Sequence, residues 1–241
     1  MPKHTSSNCI LVIESPWELD GQDSNRSSVV PFIEGIAKLH GDTDVYFLNF
    51  YDKSSFKTAL DCLCKQTFAN TIVYVAAHGS STHIAKVPLK DILSAVSEKS
   101  AKFNIRGLML GSCFAGGKTQ LLQNFTQGSG LRWCAGYASS CCWLTGTMID
   151  CAIIRSALGM HEEHYQDRDS MNHAFANALA PFAPNAIIGN GKKRDNVPLC
   201  ESLQFVIQPE GKGHRPLLAA EEIFAQAHSL RVEVETEDEA Y

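Results

Sequence analysis

The chain of 241 residues has no apolar run approaching the roughly 20 residues needed to cross a bilayer; the stretch CILVI at Cys9–Ile13 is also too short for the core of a secretory signal. It has little excess charge of either sign. Twenty-one Lys and Arg stand against 26 Asp and Glu, a net charge of −5, so no general electrostatic pull toward nucleic acid or anionic lipid is expected. A balanced disulfide framework is missing too, because the nine cysteines are odd in number and irregularly spaced. With MPKHTSSN at the start being polar, a reduced, cytoplasmic setting is the expectation. Cys62/Cys64 and Cys141/Cys142 lack the two-residue spacer of common zinc knuckles, and His161-Glu162-Glu163-His164 lacks the spacing of a zinc-peptidase helix. Neither a metal nor a cofactor is called for, and no internal repeat is present.

What is present is an alternation. Five short apolar runs, Cys9–Ile13, Asp44–Phe50, Thr71–Ala77, Arg106–Gly111 and Leu131–Tyr137, are nearly continuous in hydrophobicity, as strands covered on both faces must be. Amphipathic stretches separate them. Ser28 is a candidate N-cap with Pro31 in the following first turn; Ser54–Gln66, Leu89–Glu98 and a segment from about Lys118 each place apolar side chains on one helical face. Helices are also expected at 145–158 and 170–182, and a late strand at 203–207. The pattern predicts an α/β fold, a three-layer sandwich with a central mostly parallel sheet and helices on both faces. One domain is assigned to residues 1–230 and an acidic tail to 231–241; Gly191–Asn196 (GKKRDN) reads as a solvated surface loop.

In such a sheet, ligands bind at the carboxyl ends of the strands. His78-Gly79-Ser80 follows the run TIVYVAA directly, and Ser112-Cys113-Phe114-Ala115-Gly116 follows RGLMLG directly. If those strands are neighbours, an imidazole and a thiol project into one crevice, which suits nucleophilic catalysis. The candidate roles are Cys113 as nucleophile and His78 as its acid/base partner, with the main-chain N–H groups of Gly79 and Cys113 as an oxyanion hole. Taken singly, a cysteine is usually a small apolar filler and a histidine an ordinary hydrogen-bonding group. Their joint placement carries the inference.

An apolar strand with His-Gly, one intervening helix, then an apolar strand with Ser-Cys-x-x-Gly resembles the caspase-like superfamily of cysteine peptidases, which includes caspases, metacaspases, separases and the CHAT-type proteases. The resemblance spans residues 9–158, and GYASSCCWLTG at 136–146 is similar to the family's substrate-side segment. It implies a cysteine endopeptidase acting through an acyl-enzyme on a protein or peptide substrate, with a regulatory protein partner and a role in bacterial antiviral defence or cell death. It also implies substrate contacts at Gly111, Ser139, Ser140 and Trp143, and at Arg26, which lies where caspases place a pocket arginine. Metacaspases carry an Asp two positions before the nucleophile. Here that position is Gly111, and GYASSCCW holds no carboxylate, so the preferred side chain before the cut stays open. Two alternatives stand beside the peptidase: a catalytically silent binding module of the same fold, and a nucleotide-binding loop at Ser112–Thr119, whose glycines miss the P-loop register by one residue.

Overall fold

The computed structural model of the chain describes residues 6–17 and 27–238. In chain order the elements are β1 (Asn8–Glu14), α1 (Val30–His40), β2 (Thr43–Asn49), α2 (Lys53–Leu63), β3 (Asn70–Ala76), β4 (His83–Ile84), β5 (Val87–Pro88), α3 (Leu89–Ser100) and β6 (Ile105–Gly111). A 3₁₀ turn at Ala115–Gly117 leads into α4 (Thr119–Thr126), β7 (Trp133–Tyr137), α5 (Trp143–Leu158), α6 (Arg168–Leu179), β8 (Ile187–Gly189), β9 (Val197–Pro198), α7 (Leu199–Ser202), β10 (Leu203–Ile207), β11 (Leu217–Leu218) and α8 (Ala220–Asp238).

Seven strands form one sheet in the order β11-β10-β7-β6-β3-β1-β2. The five strands from β2 to β7 run parallel, and β10 and β11 are added antiparallel at the far edge. Alternation explains why these strands read as unbroken apolar runs. Ile10, Val12, Ile72, Tyr74 and Met109 face α1, α5, α6 and α8, whereas Cys9, Leu11, Ile13, Val73, Val75, Leu108 and Leu110 face α2, α3 and α4. Each face therefore needs its own apolar layer. At about 1.5–3 kcal/mol for each large side chain fully buried, the two layers supply the main driving force for folding.

Local signals set the helix starts. Asp52 caps α2: its Oδ1 accepts the Ser55 N–H at 2.8 Å, while Ser55 Oγ accepts the Asp52 N–H at 2.9 Å. The start of α1 differs from the expected Ser28 cap. Val29 occupies the cap position, and Glu14 at the end of β1 accepts both the Val29 N–H (3.1 Å) and the Ser28 hydroxyl (2.7 Å). A carboxylate brought from the neighbouring strand thus satisfies the helix end. Helix α8 continues through the stretch read as an acidic tail as far as Asp238, so the boundary drawn at residue 230 falls inside a helix.

Candidate active site

Strands β3 and β6 are parallel neighbours in which Ala76 is level with Gly111. His78 and Cys113 each lie two residues beyond that pair, so the register delivers both to the same height on the same rim. The following loops touch: a Cβ built on Gly79 would stand 2.4 Å from the Cys113 carbonyl oxygen and 3.0 Å from its nitrogen. Only a residue without a side chain permits that approach.

Both loops are held. The His78 carbonyl accepts the Ala85 N–H at 2.7 Å and Ser80 N–H donates to the His83 carbonyl at 2.8 Å, closing a small loop ahead of the β4–β5 hairpin. The ring of Trp17, just past β1, meets the His78 ring edge-on with centroids 5.0 Å apart. On the other loop, Phe114 adopts a left-handed conformation (φ 63°) and donates its N–H to the Ser139 carbonyl at 2.9 Å. Gly116 then packs so tightly on β7 that a Cβ would meet the Gly136 oxygen at 2.0 Å. That contact gives Gly116 a packing role. The sharp turn leaves Cys113 half-buried, with its Sγ accepting the Cys141 N–H at 3.3 Å. Among the described residues, the main-chain N–H groups of Gly79 and Cys113 donate to no other group.

Beside the thiol lies a narrow cavity of about 20 Å³, walled by Trp17, Trp143, Cys141, Gly146 and Thr147. Its wall includes a carboxylate that sequence reasoning missed. Asp150, on α5, is buried, and its two oxygens accept hydroxyl hydrogen bonds from Tyr74 of β3 and Tyr137 of β7, both at 2.7 Å. Burial pushes its carboxyl up from 3.8 to about 7, against the opposing pull of the two hydroxyls. Trp17 Nε1, Trp143 Nε1 and Ser112 Oγ, all buried in residues lining this cavity, have no hydrogen-bond partner among the described residues. Buried donors without partners mark a place where a ligand's acceptors would be welcome.

Gly111 now has a structural reason. A Cβ there would meet the Tyr74 ring at 2.6 Å and Asp150 Oδ2 at 2.7 Å. The space that a side chain at position 111 would fill is occupied by a carboxylate delivered from the helix. The other expected substrate residues divide. Trp143 walls the cavity and packs edge-on against Phe32 at 5.7 Å. Ser139 is buried and bonds Ser202 Oγ at 2.6 Å and the Ser140 carbonyl at 2.7 Å, and Ser140 Oγ accepts the Asn190 N–H at 2.7 Å. Both serine hydroxyls thus fix the shape of the segment, and neither lines the cavity. Arg26 lies outside the described residues. Among the described residues no group of three His, Cys, Asp or Glu side chains is arranged to hold a metal ion, and no helix is long and apolar enough to cross a membrane.

No protein-family model matches the chain, and neither does any curated protein. Solved structures do. A secreted C11 cysteine protease from Bacteroides thetaiotaomicron, in complex with an irreversible peptide inhibitor, superposes with a TM-score of 0.54 at 8% identity, over 83% of this chain and 66% of that one. A further structure of a secreted C11 cysteine protease from the same organism, iotapain, gives 0.50 at 9% identity over the same shares. The chain spans about two thirds of the length of these proteases. What it shares with them is the fold, the caspase-like sandwich with its central, mostly parallel sheet.

Proposed function

We propose that the chain is a cysteine endopeptidase that cuts peptide bonds after lysine or arginine, with Cys113 as nucleophile and His78 as acid/base. The observation that carries this reading is the meeting of the two strand-end loops, Gly79 against the Cys113 backbone, beside a cavity with Asp150 in its wall. The likeness to a protease fold that holds a peptide inhibitor supports it.

In this mechanism the cavity, which has room for about one water, widens between Trp17 and Trp143 to admit a basic side chain, whose cation then stabilises the ionised form of Asp150. The Cys113 sulfur attacks the carbonyl carbon of that residue while its proton passes to His78. The developing oxyanion takes the free N–H groups of Gly79 and Cys113. His78 returns the proton to the leaving amine, the C–N bond breaks, and an acyl-enzyme remains. Water, deprotonated by His78, then attacks the thioester and restores the thiol. Trp17 packs its indole on the imidazole and limits its rotation. All nine cysteines are free, which supports a reducing compartment as the place of work.

Internally quenched peptides with Lys, Arg, Gln or Asp before the scissile bond test the assignment. Hydrolysis confined to Lys and Arg, and absent from Cys113→Ala and His78→Ala at unchanged folding, is the expected result. Retained cleavage in either variant overturns the roles assigned. An intact but inert wild type returns the chain to the silent binding module.

A further inference from the structure

The loop at 191–196, read from sequence as a solvated surface loop, is exposed and lies against the catalytic rim. Its base is tied to the segment behind the nucleophile: Ser140 N–H donates to the Asn190 carbonyl at 2.9 Å, and Asn190 N–H to Ser140 Oγ at 2.7 Å. Gly189 lies so close that a Cβ would stand 2.1 Å from the Ser140 oxygen. The loop is closed on itself by Gly191 N–H to the Arg194 carbonyl at 2.7 Å and by Asn196 N–H to Asn190 Oδ1 at 3.0 Å. Its tip is thereby placed by a short stretch of main chain with little freedom.

That tip reaches both catalytic loops at once. Lys192 Nζ hydrogen-bonds Ser81 Oγ, three residues after His78, and stands 5.9 Å from the ring centre of Phe114, next to Cys113. Neither of these neighbours carries a negative charge. Of the three consecutive cations, Arg194 is paired with Glu201, whereas Lys192 and Lys193 have no carboxylate partner among the described residues. Asp195 leaves the loop net positive. In a chain of net charge −5, this is a net positive patch at the rim and outside the cavity lined by Asp150.

We propose that Lys192, assisted by Lys193, is a specificity-determining residue that recognises an acidic side chain flanking the scissile bond, so that the preferred substrate pairs a basic residue in the cavity with a neighbouring Asp or Glu at the rim. The proposal rests on the peptidase reading above. A carboxylate replaces water at an ammonium already held in place by the Ser81 hydroxyl and the Phe114 face, so little side-chain freedom remains to be lost on binding. Phe114 and Ser81 position the cation; Arg194, engaged by Glu201, stiffens the loop.

The test uses the full chain and quenched peptides with Lys in the cavity position and Glu, Gln or Lys at each of the two positions on either side of the bond. For the wild type we expect Glu to exceed Gln in kcat/KM by about fivefold at one of those positions, chiefly through KM, and the preference to shrink in high salt. In Lys192→Glu the order inverts in favour of the Lys-flanked peptide, and in Lys192→Gln the Glu-to-Gln ratio falls to near one. Equal cleavage of Glu- and Gln-flanked peptides by the wild type overturns this inference and leaves the peptidase standing. A uniform gain on every peptide in Lys192→Glu also overturns it, because the loop is then a plug. No cleavage of any peptide defeats the peptidase reading itself.

Discussion

Replacing Asp150 with asparagine removes the ionisable group while keeping its shape. In the folded chain burial raises this carboxyl from 3.8 to about 7. At about 1.4 kcal/mol for each pH unit, ionised Asp150 disfavours the folded state by about 4 kcal/mol relative to the protonated form. Because the folded value is the higher one, the associated stability is complete below about pH 3.8, declines as pH rises through the interval, and is gone above about 7. Between pH 5 and pH 8 the wild type should therefore lose roughly 2–3 kcal/mol through this residue alone. The Asp150→Asn variant loses none of it. The new amide has a place to donate, since Tyr137 can accept its N–H while turning its own hydroxyl toward the Gly146 carbonyl, 3.2 Å away. Urea unfolding of both proteins at pH 5, 6, 7 and 8 isolates the effect as a difference of differences. The variant should gain on the wild type by that amount as pH rises. The same substitution should lower kcat/KM for lysyl peptides roughly 100-fold at pH 8, as expected when one partner of a buried charge pair is removed. A variant-minus-wild-type difference in unfolding free energy that stays flat or falls with rising pH would refute the argument that Asp150 ionises at a cost inside the fold.

Other consequences are equally direct. Gly79→Ala forces a Cβ to within 2.4 Å of the Cys113 carbonyl oxygen, backbone that cannot swing aside, so kcat should fall roughly 100-fold with the fold retained by circular dichroism; normal turnover would show that the loops need not touch. Iodoacetamide on the folded chain should modify Cys113, Cys62 and Cys142, the last with its thiol lowered by the Thr145 N–H and hydroxyl, before Cys9, Cys64, Cys134 or Cys151, whose thiols burial pushes up. Peptide mapping that finds Cys134 alkylated ahead of Cys142 would contradict the packing described.

The sheet was legible because β1, β3, β6 and β7 are covered on both faces and leave unbroken apolar runs. Strand β2 reads the same way but is an edge strand with Tyr46, Phe47 and Leu48 exposed, so the expectation that both its faces are covered fails there. The candidate catalytic pair was legible for the same reason: His78 and Cys113 stand immediately after two such runs, and parallel neighbours bring strand ends together. Asp150 was missed because its role comes from where α5 packs. The signal available was a single carboxylate in the apolar stretch WLTGTMIDCAII, a costly residue to bury without purpose. Trp17 reaches His78 only through the bend after β1, and no local pattern announces that contact. Helix α8 buries Ala220, Ile223, Phe224 and Ala227 at helical spacing, but two of the four are alanines and the stripe is faint. The loop at 191–196 is exposed, as its composition predicts, but its place beside the rim was not legible because the tether from Asn190 reaches Ser140, fifty positions away.

The most direct trial of the catalytic pair is covalent capture. A peptidyl acyloxymethyl ketone with lysine next to the warhead, incubated with the wild type and mapped by tandem mass spectrometry, should leave one adduct, on Cys113, formed much more slowly in His78→Ala and blocked by excess lysyl peptide. An adduct on another cysteine, or a rate that ignores the loss of His78, would contradict the account.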